Sequence, residues 1–326
     1  MKILVTGGAG FIGSLLAERL LREGHAVEIL DDFNNFYDPR CKERNVAALG
    51  ASVRLHRADI VDAAAIERVV VTGGFEVIIH LAARAGVRPS IAQPARYVQT
   101  NIVGTLNLLE ATHRARVPRF IFGSSSSVYG LCRQIPFRED VALQETISPY
   151  AATKLAGEQL CSNFAHLYGL RVVCLRLFTV YGPRQRPDLA IHQFTERILA
   201  GRPIRQFGDG STRRDYTYVD DIVSGVVASL NYDGPLFDVF NLGGSETTSL
   251  GELIRALEEQ LQRKAIIERL PEQPGDVPLT YADISKARAK LGYAPRTTLT
   301  EGLAKFIAWY RAKKAGETLA PAEAGQ

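Results

Sequence analysis

Tyr150 and Lys154 stand four residues apart in Tyr150-Ala151-Ala152-Thr153-Lys154. On a helix that spacing puts both side chains on one face. A phenol with an ordinary pKa of about 10 is a poor base at neutral pH. A neighbouring ammonium favours the ionised form and lowers that pKa. The pair could take the proton from an alcohol while a hydride leaves the same carbon. The spacing alone is common; its value comes from what precedes it. Ser124-Ser125-Ser126-Ser127-Val128-Tyr129-Gly130 follows the apolar run 119–122. A serine hydroxyl there could share the alcohol proton and orient it.

A departing hydride needs an acceptor, and the N-terminus offers a place for one. Gly7, Gly10 and Gly13 punctuate Gly7-Gly8-Ala9-Gly10-Phe11-Ile12-Gly13, directly after the apolar Ile3-Leu4-Val5. Glycine permits the tight turn and lets backbone approach a pyrophosphate. Phe11 and Ile12 lead into the following helix, whose free N–H groups carry partial positive charge. Asp31 and Asp32 end the next strand, about 20 residues on, where an acid accepts hydrogen bonds from an adenosine ribose and repels a 2′-phosphate. That selects NAD over NADP. Asp59 and Ile60 are placed beside the adenine. The nicotinamide charge would act on Tyr150 together with Lys154.

These residues need a scaffold that brings them to one edge. Apolar runs at 3–5, 27–30, 53–55, 77–81, 119–122 and 171–175 read as strands. Helical stretches at 12–23, 63–71, 98–115 and 151–167 separate them. Regular alternation implies crossover units and a doubly wound parallel sheet, an α/β Rossmann-type fold. Its carboxyl edge is where ligands bind. After about residue 180 the pattern loosens. Helices at 191–200, 219–230, 250–262 and 300–313 mix with short strands such as 237–241. This reads as a smaller α/β substrate domain over 181–314 on a cofactor domain over 1–180, with elements interleaved. Residues 315–326 read as a disordered tail.

With these motifs in order, the chain resembles the extended short-chain dehydrogenase/reductase family over about residues 1–313, and most of all its UDP-glucuronate 4-epimerases. The resemblance rests on the glycine turn, the serine segment, Tyr150/Lys154, Arg213-Arg214-Asp215-Tyr216 and Pro274-Gly275-Asp276. It implies that Ser125 is the catalytic serine, Tyr150 the base and Lys154 its partner. It implies that Leu81-Ala82-Ala83 and Asn101 line the cofactor. Dehydratases of the family carry an acidic pair beside the catalytic serine or threonine, and decarboxylases a glutamate. Ser126 and Ser127 stand here instead, which leaves 4-epimerisation: C4 oxidation, rotation of the 4-keto sugar and re-reduction. NAD is regenerated in each cycle and is expected to stay tightly bound.

For the sugar, Phe178-Thr179-Val180-Tyr181-Gly182-Pro183, Arg184-Gln185-Arg186-Pro187-Asp188, Ala85-Gly86-Val87-Arg88 and Gln273-Pro274-Gly275-Asp276-Val277 resemble the UDP-glucuronate enzymes. The UDP-glucose enzymes usually have asparagine at position 179 and arginine at position 273. Thr179, with Ser126 and Ser127, could hold a sugar carboxylate. Arg214, Arg88 and Arg186 are candidates for the diphosphate or carboxylate, and Asp276 for the uridine ribose. Alternatives are epimerisation of UDP-glucose or UDP-N-acetylglucosamine, a reductase exchanging NAD(H), and a non-catalytic NAD(H) sensor. The resemblance also implies a homodimer through the helices at 98–115 and 151–167.

Composition narrows the rest. The chain has 326 residues, 46% hydrophobic and 23% charged, with a net charge of +4. No block of like charge suggests a nucleic-acid partner. No apolar run approaches the roughly 20 residues that cross a bilayer, and the N-terminus does not read as a secretory signal. Cys41, Cys132, Cys161 and Cys174 show no metal spacing and read as reduced thiols of a cytoplasmic protein. His80 reads as a satisfied core histidine, and Trp309 with Phe306 and Tyr310 as helix packing.

Overall fold

The protein, as a computed structural model, is described over residues 1–143, 145–272 and 275–319. Gln273 and Pro274 of the motif quoted above, and residues 320–326 of the expected tail, lie outside these residues.

The first half alternates as expected: β1 (Lys2–Thr6), α1 (Phe11–Arg22), β2 (Ala26–Asp31), α2 (Arg40–Leu49), β3 (Arg54–Arg57), α3 (Ala63–Gly73) and β4 (Val77–His80). Short α4 (Val87–Ala92) and α5 (Pro94–Val98) lead through a π-helical turn, Gln99–Val103, into α6 (Gly104–Arg114). Then come β5 (Arg119–Ser125), α7 (Pro149–Tyr168) and β6 (Arg171–Leu177). The second half holds β7 (Thr179–Tyr181), α8 (Ala190–Leu199), β8 (Ile204–Phe207), β9 (Arg213–Arg214), β10 (Tyr216–Tyr218) and α9 (Val219–Ser229). It continues with β11 (Phe237–Leu242), β12 (Thr248–Ser249), α10 (Leu250–Leu261), β13 (Ile267–Leu270), α11 (Ser285–Leu291) and α12 (Leu299–Leu319).

Seven parallel strands form one sheet in the order β11-β6-β5-β4-β1-β2-β3. Each central strand is apolar on both faces because both faces are covered. Ile3, Val5, Val173 and Leu175 join the core beneath α1 and α9. Leu4, Val172 and Cys174 point the other way, to α3, α6 and α7. Chain order reverses at β1, between β2 and β4, and the crevice at such a switch point is where ligands bind.

β11 and α9 sit in the second half of the sequence but in the first half of the structure. β11 pairs with β6 at the sheet edge, and α9 packs beside α1. The strand read at 237–241 is therefore the seventh strand of the main sheet. Among the described residues, what remains of the second half is three two-stranded sheets with α8, α10, α11 and α12. Its core residues Tyr181, Phe194, Leu253 and Phe306 are continuous with those beneath α1. α12 runs through Leu319, five residues into the stretch read as tail.

Helix α2 escapes sequence reading for a physical reason. Its buried residues are Lys42, Asn45 and Leu49. Two of the three are polar, so no apolar stripe marks the face that packs.

Candidate active site

Three turns end at the carboxyl edge of the sheet and line one cavity of about 790 Å³. After β1 comes the glycine turn. Gly7 has φ +68°, and an added Cβ would lie 2.8 Å from the Ala82 nitrogen; at Gly13 it would collide with the Gly7 carbonyl. No side chain caps α1 at Gly10, and its first turn holds no acid, which leaves its N-terminus suited to a pyrophosphate. Gly7, Gly10, Phe11, Ile12 and Gly13 line the cavity, as do Asp31, Asp32, Asp59, Ile60, Leu81, Ala82 and Ala83.

Asp31 differs from the simple expectation of a free ribose acceptor. Its Oδ2 accepts from the Ala9 nitrogen at 3.2 Å. Its Oδ1 accepts from Lys42 Nζ at 2.8 Å and from the Phe33 nitrogen at 3.0 Å. Lys42 also lies 3.5 Å from Asp32 and lines the cavity. The carboxylate thus ties the turn to α2 and delivers a buried ammonium to the cavity. Sequence reasoning missed Lys42 because its partner is eleven residues away on another element.

The second edge is β5, facing α7. Ser148 caps α7, its Oγ accepting from the Ala151 nitrogen at 3.2 Å, and Pro149 follows at the first helical position. That start fixes where Tyr150 and Lys154 emerge. Gly157 lets the helix approach, since a Cβ there would strike the Phe122 ring. Tyr150, Lys154, Gly123 and Ser124 line the cavity. The Ser125 hydroxyl lies beside the Tyr150 hydroxyl. Lys154 Nζ donates to the Gly123 carbonyl at 2.6 Å and lies 4.9 Å from the Phe122 ring centre.

The electrostatics correct one expectation. Burial pushes the Tyr150 phenol above its ordinary value; the Ser125 hydroxyl and the Arg186 charge pull against it. Lys154 is not the group that pulls it down, because its ammonium is turned beneath β5 onto Gly123. Burial lowers Lys154 itself to about 8.

Other expected residues act from behind the cavity wall. Asn101, in the π-helical turn, accepts from the Arg84 nitrogen at 2.8 Å. It donates to the Arg84 carbonyl and to Thr153 Oγ1, each at 3.0 Å. It braces the 84 segment to α7 and does not itself line the space. Ser125, Ser126 and Ser127 are likewise absent from the lining, where Ser124 is present. Ser125 reaches the site through Tyr150, and its Oγ donates to Ser127 Oγ at 3.1 Å.

The third edge brings the arginines. Thr179 and Tyr216 are register partners in β7 and β10, and both line the cavity with Arg214. Arg214 is held by its own strand, Nη1 donating to the Arg213 carbonyl at 2.8 Å, and burial lowers its pKa. Arg186 makes two bonds to Asp188, at 2.9 and 2.6 Å. Arg88 pairs with Asp276 at 2.8 Å and stacks on Phe207 at 4.3 Å. These two candidate ligand residues thus bond each other across the mouth, joining α4 to the second half. Arg84, Gln185, Asp188 and Tyr216 also line the cavity. Of these, Gln185, Asp188 and Tyr216 stood inside quoted motifs; Arg84 carried no local signal.

The lining suits NAD at one end and an anionic sugar nucleotide at the other. Known proteins agree. A UDP-glucuronate 4-epimerase of Arabidopsis thaliana is 42% identical, covering 99% of this chain and 78% of that one. A UDP-glucuronate 4-epimerase of Thermodesulfobacterium geofontis is 42% identical over 94% of this chain and 95% of its own. The crystal structure of UDP-glucuronic acid 4-epimerase from Bacillus cereus with UDP-glucuronic acid and NAD superposes with a TM-score of 0.90. It is 38% identical and covers 96% of this chain and 100% of that one. A Thermotoga maritima UDP-glucose 4-epimerase with UDP-glucose gives a TM-score of 0.89 at 36% identity, covering 96% and 100%. The family model for GDP-mannose 4,6 dehydratase matches residues 4–306, and the chain belongs to that family of NAD-dependent epimerases and dehydratases.

Proposed function

We propose that this protein interconverts C4 epimers of a UDP-sugar, with UDP-glucuronate and UDP-galacturonate as the pair. The observation that carries the reading is Tyr150 beside Ser125 and one helical turn from the buried Lys154, with serines at 126 and 127. Bound NAD would take the C4 hydride and return it to the opposite face. Tyr150 takes the C4 hydroxyl proton and gives it back. Ser125 orients that hydroxyl. Lys154 keeps a positive charge beside the cofactor end of the cavity. Glycine-turn N–H groups and Lys42 hold the dinucleotide, and Arg214 the substrate diphosphate. Thr179, which lines the cavity, holds the sugar carboxylate away from the geometry that releases CO₂, with Ser126 and Ser127 behind the wall. The excess of arginine over carboxylate among Arg84, Arg88, Arg186, Arg214, Asp188 and Asp276 favours an anionic substrate.

The test is a panel of UDP-sugars incubated without added NAD, with products identified. UDP-galacturonate from UDP-glucuronate is expected. Mostly UDP-pentose overturns the carboxylate role of Thr179, and turnover of UDP-glucose alone moves the reading to neutral sugars. Turnover that needs added NAD overturns tight retention.

We further propose a homodimer through α6 and α7. Exposed Leu167 and Tyr168 on α7, and Val98 where α5 enters the π-helical turn, support it. Leu167→Glu should halve the mass seen by light scattering. The free thiols Cys41, Cys132, Cys161 and Cys174 fit a reducing cytoplasm. Among the described residues no helix is long and apolar enough to cross a membrane.

A further inference from the structure

Behind Tyr150 and Lys154 lies a buried polar cluster that the reaction does not touch. Glu158 is one helical turn beyond Lys154 on α7 and 3% exposed; Arg176 on β6 is 4% exposed. Arg176 Nε and Nη2 donate to the two Glu158 carboxylate oxygens at 2.9 and 2.8 Å. Ser124 Oγ donates to Glu158 Oε1 at 2.5 Å. The remaining Arg176 fork, Nη1, donates to the Tyr129 hydroxyl at 3.0 Å, which donates to Asn241 Oδ1 at 2.7 Å.

The pattern is a ladder between one strand end and one helix face. Three consecutive β5 residues meet three α7 residues spaced by four. Ser125 meets Tyr150, Gly123 meets Lys154, and Ser124 meets Glu158. Only the first two rungs belong to the catalytic set. We propose that Glu158 and Arg176 are positioning residues for the reaction: they clamp Ser124 to α7 and so hold Ser125 against Tyr150 and Gly123 against Lys154. The sheet register supports this, since Ser124 and Arg176 are direct partners on β5 and β6. One carboxylate therefore receives the strand that carries the serine and the strand beside it.

A buried ion pair is an expensive way to fasten two elements, because desolvation offsets most of the attraction. Apolar residues would hold α7 to the sheet as well. What they would not supply is direction, since an Arg–carboxylate fork permits one geometry. The pair also acts through charge. Burial drives the Lys154 ammonium towards neutrality and the Glu158 carboxylate resists this. The groups facing that ammonium are Glu158 and Cys161 on α7, Cys174 on β6 and His80 on β4, with Arg176 behind Glu158.

The inference rests on Tyr150 and Lys154 being the catalytic pair, so Tyr150→Phe serves as the control. Two variants then test the clamp in the holoenzyme. Ser124→Ala removes one rung and leaves both charges. It should lower kcat about tenfold, the cost of a small misplacement, with KM for the UDP-sugar and NAD content within about twofold. Glu158→Gln keeps an acceptor for Ser124 but removes the charge. It should lower kcat further and move the alkaline limb of the kcat–pH profile to lower pH, because Lys154 then loses its proton sooner. A purely structural pair would lower the melting temperature and leave kcat and the pH profile of the folded enzyme unchanged; that result overturns the proposal. If Glu158→Gln does not fold, Ser124→Ala decides alone, and full kcat there overturns it. Undiminished turnover in Tyr150→Phe would instead remove the catalytic assignment beneath it.

Discussion

The cofactor-and-proton half of the cavity and the arginine half are built in different ways. Around Tyr150 the contacts come from the end of β5, the face of α7 and the Tyr97 ring of α5, 6.2 Å away. The polar groups behind it, Asn101, Glu158 and Arg176, are each no more than 4% exposed. Around the arginines the elements are short α4, two-stranded sheets and loops, and Arg88 at the mouth is held in an exchangeable pair. Arg88–Asp276 is half in solvent, at 45% and 34% side-chain exposure. A buried fork holds one geometry, whereas a solvated pair can release its partner to a ligand. The chemistry is thus fastened to the core, and substrate choice is left to a surface that can exchange partners.

Substitutions should separate the halves, the largest effects coming from the rigid one. Tyr150→Phe should cut kcat by about 10³-fold while NAD still co-purifies. Loss of NAD with turnover would break the comparison, since it would make Tyr150 a scaffold residue. Gly13→Ala comes next. Its Cβ collides with the Gly7 carbonyl, and NAD content after purification should fall to a minor fraction, with stability reduced by about 1–3 kcal/mol in a denaturant titration. In the other half, Arg214→Ala should raise KM for the UDP-sugar about tenfold to a hundredfold, as expected for a lost charge-assisted bond, with kcat little changed. Smallest is Arg88→Ala. An exposed pair is worth at most about 1 kcal/mol, so KM should move no more than about fivefold; a larger change would place Arg88 on the diphosphate itself.

Acid sharpens the contrast further. His80 lies in the core between Thr6 Oγ1 at 2.8 Å and Thr105 Oγ1 at 3.0 Å. Burial lowers its pKa from 6.5 to about 3. Between those values the unfolded chain binds a proton that the folded one does not. Its contribution to stability is thus complete above pH 6.5 and falls as pH drops towards 3. His80→Asn should flatten the acid side of the stability curve measured by thermal melts. An unchanged slope would show that His80 is not the acid-sensitive group of the cofactor half.

Much of the cofactor half was legible in the sequence, and little of its bracing was. The glycine turn, the strands and the Tyr150/Lys154 spacing are local patterns read within a few residues. Lys42 was invisible because the buried face of α2 is polar, so its helix left no apolar period. The bonds that hold Asp31 were equally hidden, because its partners Ala9 and Lys42 lie on other elements. In the arginine half the motifs named Arg88, Arg186, Arg214 and Asp276, but nothing local showed that Arg88 and Asp276, 188 residues apart, bond each other.

Sequence alone determined the alternation of buried strands and helices, the glycine turn and the placing of Tyr150 and Lys154 on one helical face, since each follows from short-range sterics and hydrophobic period. Tertiary structure alone decided that 237–242 completes the main sheet, that Lys154 turns towards Gly123, and that Glu158 meets Arg176. Those outcomes depend on polar pairs and register between distant segments. Such pairs are directional and leave no repeat along the chain.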